Sequence, residues 1–320
     1  MKYYLAPMEG ITGYVYRNSY RRFFNNIDKY FTPFIVPNES KNLNTKEFKD
    51  VLPENNKGIN IIPQILTNDS KGFITTSRKL QKLGYNEVNL NLGCPAGIVV
   101  SKNRGSGFLA KREELDMFLD EIFKIDDMKI SIKTRIGKDR PEEFYKLIKI
   151  YNKYPIEELI IHPRTQKDFY GNKPNLKVFK DALSLSTNPV CYNGDIFTAY
   201  DHNDLIKTFP EVKTIMSGRG ILANPGLIDT IKNNTNMDKK VLKDFHDEIL
   251  NNYINLFNED IFAMNRMKEL FGYMSYIFSD NKKYIKRIKS AQNIGEYNEA
   301  VLSLFTEQEI INGAGLFSSP

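Results

Sequence analysis

Tryptophan is absent from the 320 residues, histidine occurs three times and cysteine only twice. Two cysteines, Cys94 and Cys191, are too few for a disulfide framework, so both are expected as reduced thiols that can react. His162, His202 and His246 show no ligand spacing with one another or with the cysteines, which argues against a zinc site, and no metal is expected. No run approaches the ~18 uninterrupted apolar residues of a membrane span, and Glu9 interrupts the N-terminus before a signal-peptide core can form. A cytoplasmic chain without a membrane partner is expected. No charge sign dominates either: 45 basic residues face 39 acidic ones, and the net +6 is a weak pointer to nucleic acid. Hydrophobic residues at 41% and charged ones at 26% sit near globular averages, which excludes disordered, collagen-like and disulfide-scaffold classes.

What is present is an alternation of strand and helix patterns. Short β-branched or aromatic runs occur at Tyr3 to Pro7, Tyr30 to Val36, Ile59 to Ile65, Glu87 to Asn91, Lys129 to Thr134, Glu158 to His162, Pro189 to Asn193 and Val212 to Ser217. Amphipathic segments lie between them, among them Asp69 to Leu83, Lys111 to Lys124, Glu142 to Tyr154 and Tyr200 to Thr208. Eight such units predict an α/β fold, a TIM (β/α)8 barrel over 1–237. From about Asp238 the pattern is helical, with Phe245, Ile249, Tyr253 and Leu256 along one face, which predicts an all-helical domain over 238–320. Residues 261–290 hold seven basic side chains against Glu269 and Asp280, so most of the surplus charge lies in that tail. A solvated helix face explains such a run by itself, and RNA binding is the sharper alternative.

Chemistry in such barrels sits at the carboxyl ends of the strands. Polar groups gather there: Pro7-Met8-Glu9 after the first strand, Gln64 at the third, Asn91 and Cys94 after the fourth, Lys133 and Arg135 at the fifth. His162, then Asn193-Gly194-Asp195, then Gly218-Arg219-Gly220 complete the rim. The backbone of 218–223, at a strand end before a helical turn and assisted by Arg219, can cradle an anion. The same glycine pattern at 105–110 follows a long loop, and a doubly wound dinucleotide fold does not fit either copy. Lys133 can stabilise negative charge on a reduced flavin ring, with Gln64 and Asn193 as neutral hydrogen-bonding partners, and His162 can donate to phosphate or ring. This set points to FMN. The alternative for Lys133 is a salt bridge to a neighbouring carboxylate. Cys94 suits a proton donor, since a free thiol of pKa ~8.5 is mostly protonated at neutral pH. Cys191 reads as packing.

Val88-Asn89-Leu90-Asn91-Leu92-Gly93-Cys94-Pro95, followed by Val99 and Gly105-Ser106, resembles the signature of the tRNA-dihydrouridine synthase family. Ala6-Pro7-Met8-Glu9-Gly10, Lys133-Thr134-Arg135, Asn193-Gly194-Asp195 and Gly218-Arg219-Gly220 resemble its other motifs in the same order, over roughly residues 3–226. Arg266 to Tyr273 is similar to the RNA-contacting helix of short bacterial members. The resemblance implies a barrel that binds FMN through Pro7, Met8, Glu9, Gln64, Lys133, Asn193, Gly194, Asp195, Gly218 and Arg219. It implies NADPH (or NADH) as electron donor and tRNA as partner; no stable protein partner is expected. Asn91 and Arg135 fall on the substrate side, Arg266 and Tyr273 on the RNA side, and Cys94 protonates C5 of a uridine as hydride reaches C6. The sequence departs from relatives at Asn89, where Asp is frequent, at Pro163, where Gly is frequent, and along Phe169 to Asn172. Two rival functions remain: an FMN barrel acting on a small molecule such as a free pyrimidine, and a non-catalytic RNA-binding helper. The basic tail opposes the first, and intact Cys94 and Lys133 oppose the second.

Overall fold

The computed structural model describes residues 1–37, 46–125, 127–311 and 313. Eight parallel strands close into a barrel in which each pairs with its sequence neighbours. They are β1 (Lys2–Leu5), β2 (Lys29–Ile35), β3 (Ile61–Ile65), β4 (Glu87–Leu92), β5 (Lys129–Gly137), β6 (Leu159–Thr165), β7 (Val190–Tyr192) and β8 (Thr214–Ser217). All eight expected strands are present. The largest departures are at β5 and β6, which run three residues past the expected ends, because they pair through the register shift between Arg135 and Gly137.

Two compact units divide the chain. One comprises Met1–Pro7, Asp28–Gly194 and Phe209–Met216; the other comprises Met8–Ile27, Asp195–Thr208 and the chain from Ser217 onward. In the first, side chains two apart on a strand share a face. Tyr4, Phe31, Ile62, Ile160, Cys191 and Met216 form an inward core cluster contributed by six strands. The same period sets Gln64 beside Ile62, His162 beside Ile160 and Asn193 beside Cys191, so the carboxyl end of the barrel interior is polar. At the amino end, Lys29 Nζ lies 2.7 Å from Glu87 Oε2. The expected amphipathic segments form as helices Ser70–Lys82, capped by the Asp69 carboxylate on the Lys71 and Gly72 N–H groups, Arg112–Ile122 and Phe144–Tyr151.

The second unit is built on long-range helix pairing. Helix Tyr14–Phe23 buries Tyr16 and Tyr20, whose rings meet Phe245 of helix Lys239–Phe257 edge-on at 5.8 and 6.3 Å. The Asp238 side chain accepts from the Val241 N–H and starts that helix, at the expected beginning of the helical tail. Phe245, Ile249 and Tyr253 are buried on its expected inner face. Helices Asp260–Met274, Lys282–Ser290 and Ile294–Glu307 follow. Residues 312 and 314–320 of the expected 238–320 tail lie outside the described residues. Among the described residues no helix is long and apolar enough to cross a membrane.

His246 is fully enclosed here, with Nε2 2.8 Å from the Tyr297 hydroxyl and Nδ1 2.8 Å from Asp247 Oδ1. Burial holds its pKa below the ordinary value, against the opposing pull of Asp247. The unfolded chain, with a histidine pKa of about 6.5, then takes up a proton first as pH falls. Stability is full above that value and is lost as pH drops below it toward the depressed folded value. Thermal melts followed by far-ultraviolet circular dichroism should therefore show a lower midpoint at about pH 5.5 than at about pH 7.5, and His246→Gln should reduce this dependence.

Candidate active site

Strand β4 carries polar residues at alternate positions, and its inward Asn89 and Asn91 begin a chain of amide contacts across the barrel. Ser131 Oγ accepts from Asn89 Nδ2 at 3.0 Å, Asn89 Oδ1 from Gln64 Nε2 at 2.8 Å, and Gln64 Oε1 from Asn91 Nδ2 at 2.7 Å. Asn91 Oδ1 then accepts from both the Gly93 and Cys94 N–H groups, at 3.0 and 2.9 Å. The chain ends on the backbone of the thiol residue. Each carboxamide's orientation is set by the next, so the turn at Cys94 is fixed from inside the barrel.

The turn is also held from outside. Ser106 donates its hydroxyl to the Cys94 carbonyl at 2.8 Å and its N–H at 3.1 Å. Gly105 approaches so closely at φ +55° that a Cβ there would lie 2.8 Å from the same carbonyl. Arg135, almost wholly buried, gives Nε to the Gly93 carbonyl at 3.0 Å and a terminal nitrogen to the Thr165 carbonyl at 2.7 Å, tying the β4 turn to the end of β6. Cys94 itself is partly exposed, whereas Cys191 is buried and its thiol pKa is pushed well above the ordinary value by burial.

Lys133 lies inward two residues beyond Ser131, and among the described residues its ammonium has neither an ion pair nor a hydrogen bond. Burial, and secondarily the Arg135 guanidinium, push its pKa down to about 8, while the nearby Cys191 and Cys94 thiols pull the other way. A carboxylate partner, the alternative reading for this lysine, does not occur among the described residues: the inward Glu87 is paired with Lys29. An anionic group is what the ammonium lacks. His162 Nε2 lies 3.0 Å from an Arg164 guanidinium nitrogen; since arginine only donates, that ring nitrogen accepts and the proton of the neutral imidazole resides on Nδ1. Asn193 donates to the Met216 carbonyl at 2.9 Å. Gly194 follows β7 at a bend, and a Cβ at this position would fall 2.1 Å from the Tyr192 hydroxyl. Pro7 is partly buried at the end of β1.

The remaining expected residues lie in the second unit. Met8 caps a turn in which its carbonyl accepts from the Ile11 and Thr12 N–H groups, both at 3.0 Å, and Glu9 is exposed. Arg219 pairs with Asp195 at 2.6 Å and stacks over Phe197 at 5.3 Å. Gly218 precedes helix Arg219–Ala223, whose Gly220 sits so tightly that a Cβ would meet the Ile196 carbonyl at 2.0 Å. Arg266 and Tyr273 share helix Asp260–Met274. Arg266 bonds to the Gly10 carbonyl and Glu269, both at 3.1 Å, and Tyr273 packs on Phe197 and Ala223. The unforeseen contributors are Asn89, Ser131, Thr165 and Gln166; polar residues alternating through the apolar strand Glu87–Leu92 were the signal for the first.

A closed parallel barrel with a thiol and an uncompensated lysine at the carboxyl ends of its strands is the framework of a barrel enzyme. The sequence profile described as Dihydrouridine synthase (Dus) matches residues 4–312, and the chain belongs to this family of flavin-dependent oxidoreductases. It is 27% identical over 244 residues to tRNA-dihydrouridine synthase B of Pasteurella multocida (strain Pm70), covering 75% of this chain and 71% of that one. It is 26% identical over 247 residues to tRNA-dihydrouridine(16) synthase of Vibrio vulnificus (strain CMCP6), covering 73% and 76%. Among solved structures, histamine dehydrogenase from Rhizobium sp. 4-9 superposes with a TM-score of 0.54 at 12% identity, over 77% of this chain and 46% of that longer one, a likeness of fold.

The two thiols should differ sharply in reactivity. Iodoacetamide should alkylate one cysteine per native chain, Cys94, with Cys191 reacting only on unfolding; peptide mapping reads the sites. Asn91→Ala removes the acceptor of two N–H groups, which should destabilise the protein by about 1–3 kcal/mol and speed alkylation of Cys94.

Proposed function

We propose that this enzyme reduces a uridine of tRNA to 5,6-dihydrouridine in the cytoplasm, with FMN bound in the barrel and NADPH as reductant. The observation that carries the reading is Lys133, a half-buried ammonium without a counter-charge among the described residues, beside a loop that presents a fixed thiol. Within the barrel unit Lys133 suits the anionic reduced ring of FMN and Gln64 and Asn193 offer amides, while Gly218 and Arg219 are assigned to the phosphate on the family resemblance. Pro7, Met8, Glu9, His162, Gly194 and Asp195 are assigned to the same cofactor. When bound there, FMN would supply hydride chemistry at C6 of the uracil. Asn91 holds the uracil, Arg135 lies on the substrate side, and Cys94 gives its Sγ proton to C5, so the C5–C6 double bond gains one hydride and one proton. The target base must leave its stack to reach the thiol.

The protein should be yellow when purified and release FMN on heating. Cys94→Ala should keep FMN and its reduction by NADPH, while slowing uridine reduction by ~10²-fold or more, the usual scale for a lost general acid. Stopped-flow measurement of the two half-reactions separates these effects; loss of flavin reduction with unchanged uridine reduction would contradict the role given to Cys94.

We assign tRNA binding to the tail, 238–320. Arg266 and Tyr273 are its expected RNA-side residues, and a second basic surface supports the reading. Lys282, Lys286 and Lys289 are exposed at intervals of four and three on helix Lys282–Ser290, a single face, and have no acidic partner among the described residues. Arg287, by contrast, pairs with Glu299 at 3.3 Å. Removing one cation that pairs with an RNA phosphate should flatten the log–log salt dependence of tRNA affinity by roughly 0.7 to 0.9. Replacing the three lysines by Gln should therefore lower the slope by about two to three, and Arg266→Ala by at most about one, in filter binding at several salt concentrations. FMN content should not change.

A further inference from the structure

The loop after β6 carries a residue that its surroundings do not explain. Phe169 holds φ at +45°, a left-handed conformation uncommon for a bulky side chain, and is 49% exposed. Among the described residues no aromatic ring packs on it. Its neighbour Tyr170 is turned to the rim, with its ring 5.4 Å from the Arg135 guanidinium and 6.0 Å from His162.

The loop is built to hold this shape. Asp168 Oδ2 accepts from the Thr165 N–H at 2.7 Å and hydroxyl at 2.8 Å, and its Oδ1 from Asn172 Nδ2 at 2.5 Å. The Phe169 N–H donates to the Gln166 carbonyl at 3.1 Å. Two links join the loop to the thiol turn: Gln166 Nε2 donates to the Pro95 carbonyl at 3.3 Å, and Arg135 bridges the Gly93 and Thr165 carbonyls. These bonds tie the start of the loop, Thr165 and Gln166, to the backbone of the thiol turn, and Phe169 follows three residues further on.

We propose that Phe169 is a stacking platform for the nucleobase adjacent to the target uridine in the RNA strand. The inference rests on RNA being the substrate. Extruding one base strips its neighbour of a stacking partner, and an exposed aromatic face on a loop bonded to the thiol turn offsets that loss without selecting a particular base. A rigid ring loses little conformational freedom in doing so, which suits a phenylalanine standing where glycine or asparagine would sit without backbone strain.

The test uses the full-length FMN-loaded enzyme, NADPH and total tRNA from cells lacking dihydrouridine. Phe169→Gly and Phe169→Asn both accept the left-handed backbone, so the melting temperature should not fall, and flavin reduction by NADPH without tRNA should be unchanged. The KM for tRNA should rise roughly fivefold or more in both, the low end expected for one lost base–aromatic stack, while Phe169→Tyr stays within about twofold of the parent. Unchanged KM in the Gly and Asn variants of an active enzyme overturns the proposal, as does an equal rise in the Tyr variant, which would make loop shape the cause. A parent enzyme that forms no dihydrouridine in this tRNA overturns the RNA reading itself and the stacking role with it.

Discussion

The side-chain ladder from Ser131 through Asn89 and Gln64 to Asn91 is the constraint on which the reactive rim depends. Buried amides are costly unless each donor and acceptor is met, and here each link satisfies the next until the last oxygen takes two backbone N–H groups of the thiol turn. A local feature, the position of one sulfur, is thereby set by the register of three strands. Gly105, Ser106 and Arg135 complete the restraint from the other side, so the loop has little freedom to carry Cys94 away.

Against this satisfied ladder, Lys133 stands out as unsatisfied. Its amine sits in the same polar layer, its pKa is driven down to about 8 by burial, and no carboxylate answers it among the described residues. A charge held in that state is costly for an isolated protein and suits a site that receives an anion. The contrast with Lys29, paired with Glu87 at the amino end of the same barrel, separates a structural lysine from one available for chemistry.

In the second unit the same distinction applies to basic residues. Arg266 already bonds to the Gly10 carbonyl and Glu269, whereas Lys282, Lys286 and Lys289 face outward together. Surface lysines on one helix face cost little folding energy, because each ammonium stays hydrated. Their alignment nevertheless concentrates positive potential where a polyanion can meet it.

Hydrophobic period and turn chemistry determined much of this by themselves. Eight strands, the Asp69 and Asp238 helix starts, and the gathering of Gln64, Asn91, Lys133, His162 and Asn193 at strand ends are read directly from the chain, because a strand repeats every two residues and a barrel collects its carboxyl ends on one face. The pairing partner of each polar group was not readable in this way. Nothing local in Asn91 says that its oxygen faces the Cys94 N–H, nor in Arg266 that the Gly10 carbonyl, 256 residues away, accepts its hydrogen bond. The packing of helix Tyr14–Phe23 on Phe245 likewise joins segments remote in sequence. Which charges are neutralised, which amides are saturated and which ring is left exposed depend on distances that only closure of the barrel and packing of the helices establish, since each hydrogen bond requires approach within a few ångströms and sequence spacing sets that only along a single strand or helix.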